Sequence, residues 1–157
     1  MRTIGLLLVT GLLWTACDKN RIYEVNKTLA DDQWAVKDTL LFDFAIQDTV
    51  SSYNFLYNIR YSGAYPYYNL YTRYYLLDSA YNEIESRQSN MDLFEPKTGK
   101  PYGGGMGDYY DYQILFLKDK TMPYAGRFYL KTIHYMRDEP LNGIASFGLK
   151  VSKSKRH

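Results

Sequence analysis

The chain has 157 residues, a single cysteine, 18 tyrosines and a formal net charge of +2. That length suits one domain large enough to bury a core, and a charge this close to neutral supplies no field favouring nucleic acid or a strongly acidic surface. A lone cysteine excludes a disulfide within the chain.

Residues 1–17 read MRTIGLLLVTGLLWTAC: Arg2, an apolar run over 4–14, then the small Thr15 and Ala16 leading into Cys17. This is the order of a secretory signal peptide. The run is too short for a retained span, since ~30 Å of hydrocarbon takes about 20 helical residues. Small residues abutting a cysteine are what a bacterial lipoprotein signal requires. Residues 1–16 are then cleaved, and Cys17 receives a diacylglycerol thioether and an N-linked fatty acid such as palmitate. Each buried methylene adds ~0.8 kcal/mol and one chain holds only marginally, so two or three make a durable anchor. Trp14 stands three residues before the cysteine, where such signals usually have leucine. An ordinary cleaved signal, leaving a free thiol, does not explain why the cysteine sits at the end of the run.

Residues 17–27 are mostly polar and read as the lipidated N-terminus and a tether, with a β domain over 28–152 and a basic tail over 153–157. Trp34 and Val36 flank a brief segment. Residues 39–47 alternate, with Leu40, Phe42, Phe44 and Ile46 on one side, and 51–61 repeat the pattern through Tyr53, Phe55, Tyr57, Ile59 and Tyr61. Turn residues Ser62, Gly63 and Pro66 interrupt. Residues 69–77 are apolar on both faces, as a central strand would be, and 84–94 read as a further strand or an edge. A long loop over 96–108 holds two of the five prolines and five of the eleven glycines. Strands resume at 110–117, break at 119–123, and continue at 127–136 and 144–151.

No spacing of three and four persists for three turns, so helix is minor. Seven or eight strands with frequent turns predict an all-β fold, an antiparallel β-sandwich of jelly-roll-like form. An open barrel is the alternative.

Little of the chain points to chemistry. His134 is one of two histidines, the other being His157, and shows no local partner for metal or acid-base work. Asp108 and Asp111 match no standard calcium loop and read as a solvated turn. The run Gly103-Gly104-Gly105-Met106-Gly107 lacks the lysine and the following helix of a phosphate loop. No serine stands in Gly-x-Ser-x-Gly, and no nucleophile has an evident base. The sequence therefore reads as a non-enzyme, without metal, small-molecule substrate or cofactor other than the lipid on Cys17. Two binding readings follow from the tyrosines. Tyr65, Tyr67, Tyr68 and Tyr102, with Trp34, form an aromatic surface that either stacks on sugar rings or centres a protein interface.

Three pieces carry a family likeness: Tyr65-Pro66-Tyr67-Tyr68-Asn69-Leu70; the loop Thr98-Gly99-Lys100-Pro101-Tyr102-Gly103-Gly104-Gly105-Met106-Gly107-Asp108; and Met136-Arg137 followed by Leu141, Gly143, Ile144 and Gly148. In this order behind a lipoprotein signal, the chain resembles the GldH family of gliding-motility lipoproteins of the Bacteroidetes. The resemblance implies a non-catalytic envelope lipoprotein linked to gliding and to the type IX secretion apparatus, acting through other envelope proteins. Because loops often carry function, the 98–108 loop is the interaction element to examine first, the alternative being that it caps one end of the sandwich. It also raises a question of side. Surface export in that phylum uses acidic residues after the lipidated cysteine, whereas Asp18 is followed here by Lys19, Asn20 and Arg21. The expectation is an outer-membrane anchor facing the periplasm.

Overall fold

Alternation in the sequence becomes strands with one dry face and one wet face. The computed structural model describes residues 19–154, so the expected leader and Cys17 lie outside the described residues, as do residues 155–157. Among the described residues there are eleven strands: β1 (Arg21–Thr28), β2 (Gln33–Trp34), β3 (Leu40–Ile46), β4 (Ser52–Ser62), β5 (Asn69–Leu77), β6 (Glu83–Asp92), β7 (Gly104–Met106), β8 (Tyr109–Thr121), β9 (Gly126–His134), β10 (Leu141–Asn142) and β11 (Ile144–Lys153). The eight long strands match the expected seven or eight; β2, β7 and β10 are two or three residues each. A 3-10 turn at Ala30–Asp32 is the only helical element among the described residues.

A five-stranded sheet of order β1-β11-β4-β8-β7 faces a four-stranded sheet of order β3-β9-β5-β6, and β2 pairs with β10. Every pairing is antiparallel. Only β5–β6 and β7–β8 are sequence neighbours that pair, so the chain elsewhere passes back and forth between sheets. This is the expected sandwich.

Its core is aromatic. Tyr53, Phe55, Tyr57, Ile59 and Tyr61 on β4 are all buried, opposite Phe42 and Phe44 of β3 and Phe128 of β9. Phe44 meets Phe55 across the sheets with centroids 5.6 Å apart. Tyr57 stacks on Phe116 at 3.7 Å and tilts against Phe147 at 4.7 Å. Such pairs contribute about 0.5–1.5 kcal/mol each beyond the area they bury.

Several boundaries differ from the sequence expectation. The supposed tether over 17–27 is largely β1, which pairs with β11 in a register that sets Val25 opposite Leu149. An edge strand held by one neighbour's backbone needs few inward side chains. Here Tyr23 packs on Phe44 at 5.9 Å while Ile22 and Val25 stay exposed. At the other end β11 runs through Lys153, whose Nζ lies 2.8 Å from Asp48 Oδ2, so the basic tail begins later than position 153. The expected break at 119–123 also starts later. β8 continues to Thr121 by absorbing register shifts opposite Tyr53–Leu56, with Asp119 at φ 50°. Bulges of this kind bend a strand and re-aim its side chains.

Candidate interaction surface

The 98–108 loop is built more tightly than its composition suggests. Pro101 bridges to Phe94, the Tyr102 N–H donates to the Leu93 carbonyl at 2.8 Å, and the Glu95 N–H donates to the Lys100 carbonyl at 2.8 Å. Thr98 Oγ1 donates to the Glu95 carboxylate. Within the expected loop, Gly104–Met106 form β7 and pair with Tyr109–Asp111. The two-residue turn Gly107-Asp108 closes that hairpin, with Gly107 at φ 66°, the left-handed geometry that such tight turns use.

Two glycines are required by close approach. A Cβ on Gly103, already at φ 84°, would fall 2.3 Å from the Asp111 carbonyl oxygen. One on Gly105 would fall 2.5 Å from the Tyr110 ring, whereas Gly104 has open space. Architecture therefore accounts for Gly103 and Gly105 without any ligand.

The loop is fastened to the core by Tyr61. Its buried hydroxyl lies between the carbonyl oxygens of Leu93 and Tyr102, at 2.7 and 2.5 Å. Burial pushes this phenol up to about 12. What the loop shows to solvent is Thr98, Gly99, Lys100, Tyr102 and the tip residues Met106 and Asp108, with Met106 89 % exposed.

Tyr102 also stacks on Tyr112 of β8 at 5.9 Å, and this pair opens a groove of about 500 Å³ between β6 and β8. Met91, Ile114 and Phe116 contribute its apolar walls, and Asn90 and Asp92 its rim. β7 covers only Tyr109–Asp111, so no described strand pairs with the outer edge of β8 beyond them. The loop and the groove thus form one continuous surface. The groove was not legible from sequence, because Tyr112, Ile114 and Phe116 look like ordinary inward positions. They are only partly covered because β6 lies at the rim of its sheet.

The expected aromatic surface divides. Tyr65 is 5 % exposed, its hydroxyl donating to the Asn69 carbonyl at 2.9 Å, and it is a core residue rather than a surface one. Trp34 is fully buried, against Phe147 at 4.8 Å and His134 at 5.4 Å, and is likewise removed from the surface. Tyr67 is half-buried beside Tyr65, and the nearby Asp138 carboxylate pushes its pKa up. Tyr68 is exposed, and Tyr102 lies on the groove rather than with them.

His134 is a core residue too. Its side chain is buried, and burial lowers its pKa; the nearest carboxylate, Glu139, stands 3.8 Å from Nε2. Asp111 faces Arg60 at 3.4 Å. Among the described residues no three His, Cys, Asp or Glu side chains gather as a metal site would need. Cys17, the expected lipid attachment point, lies outside the described residues.

The family model described as GldH lipoprotein matches residues 21–151, the span from the first strand to the last. The curated protein "Gliding motility lipoprotein GldH" of Flavobacterium johnsoniae is 23 % identical over 164 residues, covering 98 % of each chain. No solved structure matches the chain significantly. Bounded by β1 and β11 and carrying the glycine loop on its groove, the chain belongs to the GldH lipoprotein family.

Proposed function

We propose that this protein is a non-catalytic accessory lipoprotein of the gliding machinery, associated with type IX secretion. Lipid on Cys17 anchors it in the outer membrane facing the periplasm, and it acts by touching other envelope proteins. The observation that carries the reading is the union of the exposed 98–108 loop with the β6–β8 groove, in a family whose curated member is named for gliding motility. Aromatic side chains at the centre of a groove, with a polar rim, are the composition of a contact surface. Anchoring strengthens such contacts without enlarging them. Confinement to a membrane raises the effective concentration of neighbours, so a modest patch suffices.

The test is site-specific photocrosslinking in cells, with a crosslinkable amino acid at Tyr102 and, as control, at Val50. Val50 is highly exposed and precedes β4, whose first residue pairs with Thr121 at the end of β8 remote from the loop. A defined envelope-protein adduct from position 102 and none from position 50 supports the reading. Equal labelling from both, or none from position 102, overturns it.

A further inference from the structure

The four-stranded sheet has an outer face that the groove does not use. Along β5, Tyr71, Arg73 and Tyr75 point outward while Leu70, Thr72, Tyr74 and Leu76 are buried. Antiparallel register sets Lys131 of β9 opposite Tyr75. The Tyr75 ring is thereby flanked by two cations, Arg73 at 5.3 Å and Lys131 at 5.2 Å from its centroid. Neither has a carboxylate within ion-pair distance among the described residues, and Arg73 Nε is buried without a hydrogen-bond partner.

Aromatic platforms continue on both sides. Toward one end Tyr81 and Tyr129 stack at 4.5 Å and 10°. Toward the other, a pocket of about 370 Å³ is lined by Tyr67, Tyr71, Tyr135 and Met136, with Gln88 and Arg137 as polar groups. That pocket has a fixed floor. Tyr135 donates its N–H to the Tyr71 carbonyl at 2.7 Å, and the Tyr71 N–H meets Met136 Sδ at 3.2 Å. Of the acids nearby, Asp43 meets Arg127 at 3.3 Å, and Asp138 lies close enough to the Tyr67 hydroxyl to push its pKa up.

We propose that this face binds an anionic polysaccharide chain, with sugar rings lying on the tyrosines and their carboxylates held by Arg73, Lys131 and Arg137. Four features favour that occupant. Tyr71, Arg73 and Tyr75, spaced by about 7 Å for every second residue of β5, with Lys131 beside Tyr75 on β9, put flat apolar surface next to positive charge that no described carboxylate neutralises. Rigid tyrosines lose little conformational freedom on binding. Guanidinium groups match carboxylates bidentately, while the Gln88 amide suits hydroxyl groups. A pocket of this volume, largely apolar with a few polar groups, is of the size that takes a small ring. The inference goes beyond the accessory role and uses none of the groove residues, so each can fail alone.

The test is affinity electrophoresis of the purified full-length protein in detergent through gels containing polygalacturonate, alginate, neutral dextran, poly-glutamate or single-stranded DNA. Retardation by the uronate polymers and not by dextran is expected, weakening as salt is raised. Arg73→Gln and Lys131→Gln should each weaken uronate binding by roughly fivefold, and because both side chains are half-buried, unfolding midpoints taken on the same samples confirm that the variants are folded when binding is read. Arg73→Lys, which keeps the charge but not the bidentate contact, should lose less than Arg73→Gln, and Tyr75→Ala should lose binding; the charge variants keep the test decisive if Tyr75→Ala does not fold. No retardation by either uronate, equal retardation by dextran, tighter binding of poly-glutamate or DNA, or indifference to the charge substitutions would each overturn the proposal.

Discussion

Two buried tyrosines on β4 make the same chemical change a test in opposite directions. Tyr57 and Tyr61 are both fully buried and stand four residues apart on one face. Tyr61→Phe keeps the ring against Phe94 (5.3 Å) and Tyr110 (5.7 Å) but removes the hydroxyl between the carbonyls of Leu93 and Tyr102. Leu93 keeps the Tyr102 N–H as a donor, so the loss falls on the Tyr102 carbonyl. A lost hydrogen bond of about 1 kcal/mol, plus part of the ~1–3 kcal/mol for an acceptor left unpaired, gives a destabilisation of about 1.5–2 kcal/mol. The Tyr57, Thr72 and Thr132 hydroxyls face one another in the core, with no hydrogen bond of good geometry among them. Burying an unsatisfied hydroxyl is unfavourable, so Tyr57→Phe should be neutral or stabilising by up to about 1 kcal/mol, its stack on Phe116 intact. Urea unfolding with unchanged m-value measures both, and amide exchange over residues 98–108 should quicken only in Tyr61→Phe. Equal destabilisation by the two variants, or no change in loop exchange, would refute the claim that the Tyr61 hydroxyl helps fasten the loop to the core.

Other expectations follow from single contacts. Gly103→Ala should destabilise by about 1–3 kcal/mol, from left-handed backbone and the Asp111 carbonyl, while Gly104→Ala stays within about 1 kcal/mol; thermal unfolding distinguishes them. The Lys120 ammonium, with the Tyr74 hydroxyl, holds the Glu85 carboxyl below its ordinary 4.5. The stability from that pair is present above pH 4.5 and is lost as pH falls through the lower folded value. Glu85→Gln should therefore flatten stability against pH in that acid range and leave the shape at neutral pH unchanged. His134 titrates in a different window, because burial sets its folded pKa below 6.5. Stability is then full above pH 6.5 and declines below it as the unfolded chain takes the proton first. Urea titrations of His134→Leu should lack that decline.

Strands whose two faces differ strongly were the legible part. β5 runs over the expected residues 69–77, and the inward set on β4 is the expected one, because period-two patterning reports burial directly. Edge elements were not legible. β1 presents Tyr23 as its packed aromatic, and β7 consists of Gly104, Gly105 and Met106, which carry no apolar pattern at all. Their existence depends on hydrogen bonds to β11 and β8, which no local signal reveals. The tyrosine cluster at 65–68 failed for a related reason. In a turn without periodicity, nothing distinguishes Tyr65, facing Gly143, from the exposed Tyr68. The tyrosine and cation face depends on register: Tyr75 and Lys131 lie far apart in sequence and meet only because β9 pairs with β5. The loop was visible as composition, its groove only as geometry.

Everything said of contact in the envelope depends on how the chain is held there. The most direct measurement is the intact mass of the mature N-terminus, taken from the protein recovered in fractionated membranes. The account predicts a chain beginning at Cys17, its mass raised by diacylglycerol and a further acyl group, in the outer-membrane fraction. A chain retaining Met1, or an unmodified Cys17 thiol in the soluble fraction, would contradict it.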